Sequence, residues 1–526
     1  MPSALSVETI ARQMFDTLVR TFPVACASDE FYYFPQVRPA NPHWSTWDQF
    51  SPEIIEDITR QLSGWEHELD RLASQAGEDE RQAEITLLQQ TALTLREQLT
   101  VVRTWESQPS FALTIACLGL AEAFAAEDPA AKYDRAATLP EFLIQASRHM
   151  QHVPALFRDI GLEMVADTRR YFLSLEPTLP ELQPALSALD RFEERLRTVS
   201  TREAFWLPSE LLERVFQVHL RYEMTLQEIT EMLDLEIAEM QHVMEQEARA
   251  LNPDLPSGHA DWAQVLRSLP MPMIGEEGLL GLYRAEVERL AQHCLDHGLI
   301  SSEFITTCPV HVAPVPAFLS AIRTASSYSI PPKHPPEGGI FYINNAEKPE
   351  EIQQRYLREY PMLTAHETYP GHHLLDSCRW SLAHPVRRVI ESPLFYEGWA
   401  CFAEEIMRIT GYFSAPADRL LLAKRRYWRA VRGKVDVGLQ TGTLSLPAAA
   451  HDLSHTGVPL KQADSLVRKY PLNPGYKVCY TLGVRRFVDL FHHYGQDKIH
   501  PFIHTVLGQG EIRFQDLEII LQRLAK

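Results

Sequence analysis

The residues best suited to metal chemistry crowd into two short segments. One is His366-Glu367-Thr368-Tyr369-Pro370-Gly371-His372-His373 and the other is Tyr396-Glu397-Gly398-Trp399-Ala400. Neutral imidazole and carboxylate are the ligands of catalytic Zn²⁺, which takes three protein ligands and keeps one position for water. Glu367, next to His366, stands where a general base is needed. The pattern reads as a metal-dependent hydrolase, in the first place a peptidase, with one Zn²⁺ per chain.

The spacing then constrains the backbone. The usual zinc helix carries histidines four apart, on one face. Here Pro370 fills that position, and His372 follows His366 by six residues. Six residues of ideal helix rise about 9 Å and end on a different face. The helix must therefore break. Pro370 cannot donate to the carbonyl of His366, and Gly371 accepts unusual dihedrals, so a broken turn at Tyr369-Pro370-Gly371 would swing His372 back beside His366. His373 is the other candidate for second ligand, or else lies behind the ligands. Three glutamates compete for the third place. Glu397 and Glu404 share one face of an otherwise apolar segment, while Glu391 falls just before the Ser392-Pro393 helix start. Glu397 is the expected ligand, with Glu404 orienting a histidine or bonding a tyrosine. A rival site at His451-Asp452-Leu453-Ser454-His455 has two histidines four apart but no glutamate beside the first, and these histidines are expected to be solvated. His492-His493 is expected on a helix surface.

The elements that must position these groups are mostly helices. Ile55, Ile58, Leu62, Trp65, Leu69 and Leu72 recur every three or four residues, as do Ile85, Leu88, Ala92, Leu95, Leu99 and Val102. Two apolar stripes joined by a polar turn predict an antiparallel hairpin, capped at Ser51-Pro52. Further helices are expected at 139–175, 181–198 and 209–250, the last with a capping box at Thr225-Leu226-Gln227-Glu228. Prolines crowd helix out of 301–345, where Gly338 to Asn345 is the clearest strand. Gly339, Phe341 and Tyr342 within it are candidate substrate contacts, if the strand is an edge that pairs with an extended peptide. The expected fold is mainly α, large and two-lobed, with a small β-sheet beside the metal helix. A Pro/Gly-rich stretch at 252–275 separates an N-terminal helical lobe, 1–262, from a catalytic lobe, 263–526.

Bulk properties narrow the partners. A net charge of −19 disfavours nucleic acid. The longest apolar run, Phe111 to Ala121, falls well short of the roughly 20 residues that span a bilayer, and no secretory leader is visible. The seven cysteines include no C-x-x-C pair, which points to reduced thiols and a cytoplasmic location. Dinucleotide and P-loop fingerprints are absent. The expected partner is a peptide or small amide.

The sequence resembles the bacterial domain of unknown function 885 family, whose members carry H-E-x-x-P-G-H-H, then E-G-W-A-x-(Y/F)-A-E, then R-Y…P-G…Y-x-x-G. These segments stand here as His366 to His373, as Glu397 to Glu404, and as Arg468, Tyr470, Pro474-Gly475, Tyr480 and Gly483. The resemblance is strong over about 335–485. It implies a zinc metallopeptidase of the gluzincin type, distantly similar to the largely helical thimet oligopeptidases and Taq-type carboxypeptidases, with Tyr480 and Arg468 as donors to a developing oxyanion. Glu391 partly mimics the thimet pattern of a ligand glutamate shortly before a proline. This chain departs from the family at Tyr476-Lys477, where members usually read Gln-Ala. Two other readings share the same residues: a zinc amidase or esterase, and a helical scaffold with a vestigial site.

Overall fold

The computed structural model describes residues 6–40, 43–74, 80–124, 126, 128–254, 262–315, 326–344, 350–496 and 498–524. The first half is helix upon helix: α1 (Val7–Thr21), α2 (Pro52–Ala73), α3 (Glu80–Glu97), α4 (Pro109–Phe124), α5 (Ala131–His149), α6 (Ala155–Leu175), α7 (Gln183–Thr198) and α8 (Leu226–Leu251). The apolar stripe of α2 is buried from Ile55 to Leu72 and packs on α3 as a hairpin. Ser51 caps α2 by accepting from the Ile54 N–H, with Pro52 in the first turn. Thr225 and Glu228 form the capping box of α8. The helix expected at 139–175 is two helices. His152 adopts a left-handed φ of 53° and Pro154 follows, so the chain turns between α5 and α6.

The second half comprises α9 (Gly278–Asp296), β1 (Val310–Pro314), β2 (Ser327–Ser329), β3 (Gly339–Ile343), α10 (Glu350–Glu367), α11 (His372–Ser381), α12 (Pro393–Ile409), α13 (Pro416–Gln440), α14 (Cys479–Tyr494), α15 (Ile499–Gly508) and α16 (Phe514–Leu524). The fold is mainly α. Beside a two-residue pairing of Val153–Pro154 with Thr201–Arg202, its sheet has three strands in the order β1-β3-β2. β3 pairs parallel with β1 and antiparallel with β2, so of the two readings of this strand, buried in the sheet or at its edge, the first holds and the strand is central. Phe341 is fully buried, and a Cβ at Gly339 would lie 2.2 Å from the Tyr328 hydroxyl oxygen. These residues pack the sheet, and the edge nearer the metal helix is β2. Asn345 and 255–261 lie outside the described residues.

One apolar cluster runs from Val7 to Leu521 and takes in both halves of the chain. A second joins α8 to α13, which lie along each other. Among the described residues no helix is long and apolar enough to cross a membrane.

Candidate metal centre

His366 closes the last turn of α10 and His372 opens α11. Between them the chain folds back so sharply that a Cβ at Gly371 would lie 1.9 Å from the His366 carbonyl oxygen. Only glycine fits there. The reversal brings the two imidazoles to a centroid separation of 4.8 Å at 84°. It is pinned from α12, where the buried Trp399 indole N–H donates to the Pro370 carbonyl at 2.9 Å.

Glu397, one turn into α12, supplies the carboxylate. Its Oε2 lies 3.5 Å from His366 Nε2 and 3.6 Å from His372 Nε2. Hydrogen-bonded pairs sit closer, at about 2.7–3.2 Å. Donors on one tetrahedral ion, with bonds of about 2.0–2.1 Å, must stand about 3.3–3.5 Å apart. The three buried groups thus have the spacing of co-ligands, and their ligand atoms all lie within 4.8 Å of one another.

The surroundings fix each group. His366 Nδ1 lies 3.1 Å from Glu404 Oε1 and 3.3 Å from an Arg429 guanidinium nitrogen, which leaves Nε2 facing Glu397. Glu404 also accepts from Arg425 and Arg429 at 2.6–2.9 Å. Burial would raise its pKa, but those two guanidiniums hold it well below the usual carboxylate range. The His372 ring stacks on Tyr396, centroids 4.1 Å apart, and the Tyr396 hydroxyl donates to Asp376. Glu397 Oε1 accepts from Tyr480 at 2.6 Å and from Tyr476 at 3.1 Å. Burial and the neighbouring Glu397 charge push the Tyr480 hydroxyl well up, so it stays a donor.

Tyr480 reaches Glu397 because α12 and α14 cross at two glycines. A Cβ on Gly398 would meet the Gly483 Cα at 2.5 Å, and one on Gly483 would meet the Leu394 carbonyl oxygen at 2.3 Å.

His373 stands apart from the ligand group. Its Nε2–H donates to the Cys308 carbonyl at 3.0 Å, so Nδ1 accepts from the Tyr328 hydroxyl at 2.9 Å. Burial lowers its pKa to about 3. Tyr328 thereby ties β2 to α11, and its backbone N–H donates to Glu367 Oε2 at 2.9 Å. Glu391 lines the same cavity but accepts from Gln36 Nε2 at 2.7 Å and is not in the ligand group. Ser392 provides no side-chain cap for α12. Arg468 pairs with Glu163 at 2.8 Å and does not line the cavity, so the oxyanion role expected of it finds no geometry here. His451, Asp452 and His455 form a second potential ligand group, all three exposed.

The cavity measures about 380 Å³ and is lined by His366, Glu367, His372, Tyr396, Glu397 and Tyr480. Ser326, Ser327 and Tyr328 at the β2 edge also line it, as do Tyr476 and Lys477. Sequence reasoning missed Tyr328, Tyr396, Tyr476, Arg425 and Arg429. The two arginines carried a readable signal, since cations four apart on an otherwise buried helix need a carboxylate partner. Tyr328 carried none.

A mainly helical protein with a buried two-histidine, one-carboxylate centre is the class that fold and site define. The chain belongs to the family of bacterial proteins of unknown function DUF885, whose model matches residues 40–518. No curated protein matches it. Among solved structures it is similar to a presumed lipoprotein of unknown function from Shewanella oneidensis, with TM-score 0.78 and 15% identity over 99% of this chain and 100% of that one. A presumed lipoprotein from Colwellia psychrerythraea gives the same TM-score, identity and coverage. A carboxypeptidase from Pyrococcus furiosus is similar only at TM-score 0.41 and 11% identity, with both chains fully covered. The first two likenesses show the fold, and the third is too low to argue from.

Proposed function

We propose that this protein is a zinc-dependent hydrolase whose substrates are peptides. The observation that carries the reading is the co-ligand spacing of His366 Nε2, His372 Nε2 and Glu397 Oε2, with Glu367 beside them on the cavity wall. A set of two neutral imidazoles and one carboxylate suits zinc, which supplies Lewis acidity and lowers the pKa of a water towards neutrality.

The chain's own residues supply the rest. The β2 edge holds Glu367 through Oε2, and Oε1 accepts no hydrogen bond from the described residues. Glu367 takes a proton from the attacking water as the new C–O bond forms at the scissile carbonyl. It then hands that proton to the amine nitrogen as the C–N bond breaks, so the products are one carboxylic acid and one amine. Glu404 and Arg429 hold the His366 ring with Nε2 towards Glu397. The seven cysteines are free thiols, which supports a reducing, cytoplasm-like compartment.

The test is Glu367→Ala together with metal analysis. The variant is expected to keep about one zinc per chain while kcat on a mixed peptide pool falls by roughly 10²–10⁴. Full activity in the variant, or a wild type that takes up no zinc, overturns the reading.

A further inference from the structure

Lys477 is the one lysine or arginine among the described residues that line the metal cavity. The backbone fixes this residue in place, because its N–H donates to Asp436 Oδ2 at 3.0 Å where the chain enters α14. Asp436 acts on the Lys477 ammonium through space, and its other oxygen, Oδ1, is buried without a hydrogen-bond partner. The ammonium itself has no carboxylate within 4.0 Å among the described residues. It lies instead 4.9 Å from the Tyr476 ring centroid and 5.7 Å from that of Tyr470. Burial, with Arg432 nearby, lowers its pKa to about 8, which leaves it largely protonated at neutral pH.

An ammonium on a cavity wall with no carboxylate in ion-pair contact has room for an anion. The wall itself does not answer it. Glu391 accepts from Gln36, Glu367 from the Tyr328 N–H, and Glu397 from Tyr476 and Tyr480. Asp29 and Glu30 also line the cavity, and each interacts with other groups of the chain.

Distance decides which anion. Tyr476 faces Lys477 with its ring and donates its hydroxyl to Glu397 Oε1 at 3.1 Å, so one tyrosine ring separates the ammonium from the metal ligands. An extended residue spans about 3.3–3.6 Å. A carboxylate one or two residues beyond the reacting bond therefore reaches Lys477. The cavity, about 380 Å³, also lies at the small end of ligand pockets, which run from roughly 300 to 1,000 Å³. It suits the end of a peptide better than its middle.

We propose that Lys477 binds the free C-terminal carboxylate of the peptide, so that the protein removes residues from the C-terminal end. This rests on the peptidase reading above. Lys477 is a specificity residue and touches no reacting atom.

The test uses the full zinc-loaded chain and three N-acetylated peptides of one length: a free acid, its C-terminal amide, and an amide with Asp in the last position. Products are read by mass spectrometry. The free acid is expected to be cleaved at least 100-fold faster than the plain amide in kcat/KM, with one or two C-terminal residues released. Lys477→Met should raise KM for the free acid about tenfold or more, and Lys477→Arg should restore part of the preference. Binding is read separately on metal-free protein by calorimetry. An acetyl-dipeptide acid should bind wild type at least tenfold more tightly than its amide, and Lys477→Met should lose the difference.

Equal cleavage of acid and amide, or a preference that survives Lys477→Met, overturns the proposal. A preference for the Asp amide would assign Lys477 to an acidic side chain and overturn the terminal reading. If no peptide is cleaved yet acid still binds more tightly than amide, the peptidase reading fails while the carboxylate site stands.

Discussion

At the scale of single residues, the centre depends on how the two oxygens of Glu397 divide their work. Oε2 faces both histidines, and Oε1 takes the hydroxyls of Tyr480 and Tyr476. Those donors set the orientation of the carboxylate. In this geometry Tyr480 is committed to the ligand and not to an open oxyanion site. Tyr480→Phe should therefore weaken zinc binding 10- to 100-fold, the usual effect of losing an outer partner. Competition against a chelator measures it. An unchanged zinc affinity alongside a lower melting temperature would make Tyr480 a packing residue only. The sequence showed the types of the three ligands but left His372 against His373, and Glu397 against Glu391 and Glu404, open. Partners such as Cys308, Tyr328, Gln36 and Arg425 made the choice, and all of them lie far away in the chain.

At the scale of elements, close contacts take the place of long side chains. Gly371 lets the chain reverse against the end of α10, and Gly398 with Gly483 lets α12 and α14 touch. Gly483→Ala would place its Cβ against the Leu394 carbonyl, where backbone cannot give way. Overpacking of this kind costs about 1–3 kcal/mol. Tyr480 lies one turn earlier on α14, so separating the helices should also draw its hydroxyl away from Glu397. Urea denaturation and zinc titration of the same variant should both shift. A stability loss with unchanged zinc affinity would disconnect the crossing from the site. The break at Pro370-Gly371 was legible because proline and glycine act locally. The place of Gly338 to Asn345 in the sheet was not, since alternation shows that a strand has a buried face and says nothing of how many neighbours it has.

At the scale of the whole molecule, buried charge ties early helices to late ones. Glu236 on α8 is fully buried and accepts from Arg426 on α13 at 2.7 and 3.0 Å and from Arg485 on α14 at 2.7 Å. Removing one partner of such a group leaves the others buried and uncompensated, at about 3–5 kcal/mol. Glu236→Ala should lose stability on that order in chemical denaturation, and Glu236→Gln distinctly less. A loss below about 1 kcal/mol would mean that the arginines find solvent and the link is incidental. α13 also carries Arg425 and Arg429 to Glu404, so one helix both joins the two halves and supports the metal centre.

The sequence by itself determined the helical class, the hairpin of α2 and α3, the capping box of α8, the break between the histidines and the kind of ligands on offer. Each rests on periodicity, a cap or a turn residue, and these act over a few positions. The tertiary structure alone decided which histidine and which glutamate meet, that the candidate substrate strand is central in its sheet, that Arg468 pairs with Glu163, and that Lys477 lines the metal cavity. Those outcomes depend on hydrogen bonds and helix crossings between residues tens to hundreds of positions apart, and no local pattern in the chain encodes them.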